Sequence, residues 1–104
     1  MNLFKNLPVD SSQEDFQDIV KSNNVRIERI VSFGQSSPET GWYDQDEHEW
    51  VCVLEGFGEI EYDSGECFRL EKGDTLLIAR HQKHRVIATA QDSETIWLAV
   101  FFTE

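Results

Sequence analysis

The chain has 104 residues, the size of one domain with one core, so any site is built within that domain or between subunits. Hydrophobic residues make up 39% and charged residues 28%, which excludes a chain too polar to fold. Nine Lys and Arg against 20 Asp and Glu give a net charge of -11, a field that repels phosphate backbones and anionic lipid and argues against nucleic acid and membranes as partners.

Residues 1–8 lack the apolar run of a signal peptide, and no stretch approaches the roughly 20 apolar residues of a spanning helix, so a cytoplasmic protein is expected. Residues 1–24 read as a helical arm. Ser11 and Ser12 precede Glu14 and Asp15 in capping-box spacing, and Phe16, Ile19 and Val20 recur at helical intervals, which predicts a short helix over 12–21.

From residue 25 to 104 the pattern is that of a single barrel. The period changes to two, with Val25, Ile27, Val31 and Phe33 on one face and Arg26, Glu28 and Ile30 on the other. Alternation recurs over 49–54, 58–62, 67–71, 75–79, 84–89 and 95–102, between turns such as Asp63-Ser64-Gly65 and Lys72-Gly73-Asp74. Short strands at this spacing predict an all-β antiparallel sandwich or barrel. Strands 50–54 and 96–102 are apolar on both faces, which predicts an outer face covered by a second subunit, hence a homodimer.

Polar chemistry interrupts the pattern at two places. Glu49 shares a face with Val51 and Val53, and His84 with Val86 and Ala88, so a carboxylate and an imidazole are expected in one interior. A buried carboxylate needs a hydrogen bond, a counter-charge or a cation. His84 supplies either a ligating nitrogen or a hydrogen bond. Residues 79–85 hold His81, His84, Arg80, Lys83 and Arg85, a basic segment on an acidic background. Either His81 and His84 ligate one ion while Arg80 and Arg85 attract an anionic ligand, or the segment is a solvated loop.

His48 alternates away from Glu49 and reads as a surface histidine. Asp44, Asp46 and Glu47 lack the glycine of a calcium loop and read as solvated. Trp42, Tyr43 and Trp97 line a pocket or pack the core. Cys52 reads as buried and inert, and Cys67 has no histidine near it in sequence; the two are separate thiols.

The order of these residues from about 25 to 102 resembles the cupin superfamily, antiparallel barrels that often hold one divalent metal. Glu49 and Gly56 keep the glutamate-to-glycine interval of its first motif, but the histidine pair that precedes the glutamate is missing. Its places fall on Tyr43 and Gln45, or on Trp42 and Asp44. Gly73 and His84 match the second motif, with Ala79 in place of proline and His81 in place of glycine. The resemblance thus implies a jelly-roll barrel and carries over two of four metal ligands, Glu49 and His84. His81, Asp44 and Gln45 are candidates for the others by their chemistry, not by the family pattern. The runs 42–45, 49–51 and 95–100 are similar to a bacterial subgroup of stand-alone cupins.

Two functional readings follow. In one, Glu49 and His84 hold a divalent ion (Zn, Fe, Ni or Mn) with His81 and a residue from 43 to 45, Tyr43 donates a proton, and Trp42, Arg80 and Arg85 contact a small anionic ligand. In the other, the barrel binds a small molecule without metal, Glu49 being hydrogen-bonded to His84 or Tyr43. A third reading makes the barrel a structural dimer without catalysis.

Overall fold

A computed structural model describes residues 1–103. Eight strands follow in chain order: β1 (Asp15–Lys21), β2 (Val25–Ser32), β3 (His48–Glu55), β4 (Phe57–Tyr62), β5 (Cys67–Glu71), β6 (Thr75–Ile78), β7 (His84–Thr89) and β8 (Thr95–Phe102). They form a five-stranded sheet, β1-β2-β8-β3-β6, facing a three-stranded sheet, β5-β4-β7, and every pairing is antiparallel. The all-β barrel expected from the period-two pattern is present. No helix of the described residues is long and apolar enough to cross a membrane.

The expected helix over 12–21 is not formed. Asp15–Lys21 instead pairs with β2, Asp15 opposite Val31 and Lys21 opposite Arg26, with a bulge between Asp18 and Val20. A helix of ten residues is marginal in water, whereas the open edge of β2 offers a row of unpaired backbone groups that a strand satisfies. The serine and acidic residues that suggested a cap do other work. The Ser12 amide and hydroxyl donate to Asp10, and Glu14 accepts from the Ser32 hydroxyl at 2.6 Å.

The core joins the two sheets. Val51 and Val53 of β3 and Trp97, Ala99 and Phe101 of β8 point inward at alternate positions against Ile60 of β4 and Leu70 of β5. Gly58 makes the closest approach between the sheets: a Cβ there would lie 2.0 Å from Cη2 of Trp97, so only glycine leaves room for the indole.

The chain before β1 covers part of the outer surface of the large sheet. Arg29 is 2% exposed and donates to the carbonyls of Leu3, Lys5 and Asn6 and to the side-chain oxygen of Gln17. Beyond this strap the outer rows formed by Trp50, Cys52, Leu98 and Val100 are half-buried, and Leu77 on the short edge strand β6 is exposed.

Candidate functional site

A cavity of about 200 Å³ lies between the sheets. Its apolar wall is built from inward positions: Ile30 of β2, Val51 of β3, Ile60 of β4, Val86 of β7, and Trp97 and Phe101 of β8. Phe16 of β1 lines it while half exposed, which puts its opening on the β1 side.

Glu49 and His84 meet in this cavity as the alternation predicts. Glu49 is 9% and His84 4% exposed, and His84 Nε2 lies 3.3 Å from Glu49 Oε1. The other ring nitrogen, Nδ1, donates to the Gln82 carbonyl at 2.8 Å, which fixes the ring. Burial works against a charge on this imidazole, but the Glu49 carboxylate, the Gln82 carbonyl and Asp44 together outweigh it and raise the His84 pKa above its ordinary 6.5. With Nδ1 donating to Gln82, protonation at Nε2 places that proton facing the Glu49 carboxylate, which favours it.

The loop between β2 and β3 supplies the remaining polar wall by running alongside β7. The amides of Tyr43 and His84 donate to each other's carbonyls at 2.8 and 3.1 Å, and Ser37 and Val86 do the same. That register sets the Tyr43 ring 5.6 Å from the His84 ring, centroid to centroid, and lets Gln45 Nε2 donate to Glu49 Oε1 at 3.0 Å. Burial raises the Tyr43 hydroxyl above its ordinary 10.0; Ser37 opposes this, and the carboxylates Glu14, Glu49 and Glu28 add to it.

Tyr43, Gln45, Glu49 and His84 are thus brought together, and five other candidates are not among the residues lining the cavity. His81 Nδ1 and Asp44 Oδ1 pair at 2.9 Å on the surface. His81 has a φ of 62°, the left-handed backbone that glycine favours at that place of the second cupin motif. Arg80 bonds to the His48 ring. Arg85 bonds to Glu61 at 2.7 Å, and its guanidinium carbon lies 4.2 Å from the centroid of the Trp42 ring.

Lining residues that the sequence did not mark as part of a site include Glu14, Phe16, Arg26, Glu28 and Ser37. Arg26 bonds to Glu28 and Glu47 and lies 4.0 Å over the Phe101 ring. Burial raises the Glu28 carboxyl above its ordinary 4.5; Arg26 opposes that, while Asp18 and Glu49 reinforce it. The alternation of β2 did carry a signal, since it put Arg26 and Glu28 on one face with Ile30. A polar strand face reads as solvent-facing unless the barrel is known to be hollow.

The comparisons agree with this architecture. The chain matches the family described as Cupin domain over residues 30–101. Among solved structures it is similar to a protein of Ralstonia eutropha JMP134 described as a "putative mannose-6-phosphate isomerase", at 38% identity and a TM-score of 0.93, covering 100% of this chain and 97% of that one. A Streptococcus pyogenes protein of unknown function (19% identity, 100% of this chain and 86% of that one, TM-score 0.79) shares the fold. So does a cupin superfamily protein of Desulfitobacterium hafniense DCB-2 (16%, 94% and 84%, TM-score 0.77). No curated protein matches the chain.

Cupins often hold a divalent ion, and the donor set here can be tested against one. Protein sites for zinc-like ions use three or four ligands. Among the described residues no three of His, Cys, Asp and Glu gather to hold an ion. His81 and Asp44 are engaged with each other, and Gln45 turns its amide donor toward Glu49. Glu49 and His84 alone do not fit a resident metal.

Proposed function

The chain belongs to the cupin family, and on that premise we propose that it binds a small organic ligand in the barrel cavity without a resident metal. The observation that carries this reading is the buried Glu49–His84 pair, with Gln45 bonded to the same carboxylate oxygen, in a cavity whose walls combine apolar side chains with a few polar and charged ones. Ligand sites have this composition: mostly apolar, with a few fixed polar groups that set orientation. At about 200 Å³ the cavity takes a ligand smaller than drug-sized molecules, whose pockets run to roughly 300–1,000 Å³. Glu49 offers an acceptor and Tyr43 a hydroxyl to the cavity, so the ligand carries at least one polar group.

Two measurements test the proposal. Elemental analysis of untagged protein beside His84→Ala is expected to find no stoichiometric metal in either; a near-stoichiometric ion lost in the variant overturns the metal-free reading. Thermal shift against amines, sugars, sugar phosphates and small carboxylates is expected to give stabilisation by one class, weakened in His84→Ala. Indifference to every class overturns ligand binding.

The same reading includes a homodimer through the outer face of β3, β6 and β8. Trp50, Cys52, Leu98, Val100 and the exposed Leu77 are uncharged in a chain of net charge -11, so two such faces meet without placing like charges in direct contact. Light scattering is expected to give about twice 12.1 kDa; a monomer at micromolar concentration removes the dimer from the proposal.

A further inference from the structure

The charges lining the cavity are out of balance. Glu14, Glu28 and Glu49 supply three carboxylates, against one guanidinium, Arg26, and the imidazole of His84. Arg26 does not offset all of them, because its two terminal nitrogens are already bonded to Glu28 and to Glu47. Of the basic residues near His84 in sequence, Arg85 is held on Glu61 and Arg80 on the His48 ring, and Lys83 does not line the cavity.

Two of the carboxylates also keep an oxygen in reserve. Gln45 and His84 both reach Oε1 of Glu49, and no described residue bonds to its Oε2. Ser32, itself accepting from the Trp97 indole at 3.1 Å, holds Oε2 of Glu14 and leaves Oε1 without a partner among the described residues. Around these acceptors stand the rings of Tyr43, Trp97 and Phe101. That the charges of Glu14, Glu49 and Glu28 all help to raise the Tyr43 hydroxyl agrees with their acting on one shared volume.

We propose that the cavity selects a small organic cation, an amine or quaternary ammonium, whose charge faces Glu49 and Glu14 and whose carbon skeleton lies against Tyr43, Trp97 and Phe101. This rests on the reading of the cavity as a ligand site and names the class of ligand. A cation neutralises the surplus carboxylate in a low-dielectric enclosure and meets ring faces that attract positive charge. A phosphate or carboxylate ligand would add a charge of the sign already in excess, and its natural partner, Arg26, would first have to leave Glu28 and Glu47.

The test is isothermal titration of the whole chain with n-butylamine, 1,4-diaminobutane and tetramethylammonium, beside mannose and mannose 6-phosphate, in wild type, Glu49→Gln and Glu14→Gln. At least one cation is expected to bind, with affinity falling tenfold or more in Glu49→Gln and falling also in Glu14→Gln. Mannose and mannose 6-phosphate are expected to be silent. If Glu49→Gln does not fold by circular dichroism, Glu14→Gln decides alone, its side chain lying nearer the surface. Binding of mannose or its phosphate with the cations silent overturns the cationic class and leaves the cavity a ligand site. Cation binding unchanged in every folded variant overturns the proposed contacts. Silence toward all five probes overturns the cationic class, and only the broader thermal-shift panel then bears on whether the cavity binds anything.

Discussion

Gly58→Ala tests the packing that holds the cavity open. Gly58 on β4 faces Trp97 of the opposite sheet, and the added Cβ would lie 2.0 Å from Cη2 and 2.2 Å from Cζ2. Carbon atoms pack at about 3.5–4.0 Å, so the indole has to retreat by roughly 1.5 Å. Trp97 is 3% exposed and has no free space behind it except the cavity. Overpacking of this kind costs about 1–3 kcal/mol. Displacing the ring also strains the bond from its Nε1 to Ser32, a contribution of about 1 kcal/mol. The expected destabilisation is therefore about 2–4 kcal/mol, which for a domain of this size lowers Tm by about 10–25 °C. Thermal melts followed by circular dichroism read this directly, and a red shift of tryptophan emission reports the moved indole. A Tm within about 3 °C of wild type, with unchanged emission, would refute the argument that Gly58 is there to admit Trp97.

Other consequences follow from single contacts. Arg29→Ala frees the strap before β1 and is expected to cost about 2 kcal/mol or more, since hydrogen bonds from a charged donor contribute about 1.5–3 kcal/mol; limited proteolysis is expected to cut before residue 15 faster than in wild type. His84 and Glu28 both bind protons more tightly in the folded chain than in the unfolded one, so their contributions are complete below the ordinary 6.5 and 4.5 respectively and are lost as pH rises through each raised value. Denaturant titrations are thus expected to show the His84 contribution declining above about pH 6.5, and His84→Gln to flatten that limb; an identical slope in the variant counts against the Glu49 pairing. Burial, aided by Asp74, raises the Cys52 thiol, while Cys67 is exposed, so a thiol reagent is expected to label Cys67 first and Cys52 slowly. Equal rates would contradict the half-buried position of Cys52.

Much of the barrel was legible because period-two alternation is a local property. Strands over 67–71, 84–89 and 95–102 were placed at the residues where they form, since turn residues such as Gly65 and Gly73 bound them. Glu49 and His84 were legible for a related reason: each has an apolar neighbour two residues on along the same strand face, Val51 and Val86. The segment 12–21 was not, because its pattern fits a helix and a strand alike, and the open edge of β2 that decides between them lies ten residues further on.

Alternation and turn chemistry, written in adjacent residues, were enough by themselves to specify a β barrel from residue 25 onward with a carboxylate and an imidazole turned inward. Only the tertiary structure decided which side chains join them. It drew Tyr43 and Gln45 in through the pairing of their loop with β7, and it left His81 and Asp44 to each other outside. It also turned Arg26, Glu28 and Glu14 toward a hollow interior. The physical reason is that a strand's period tells which residues share a face, whereas what that face meets depends on partners far away in sequence.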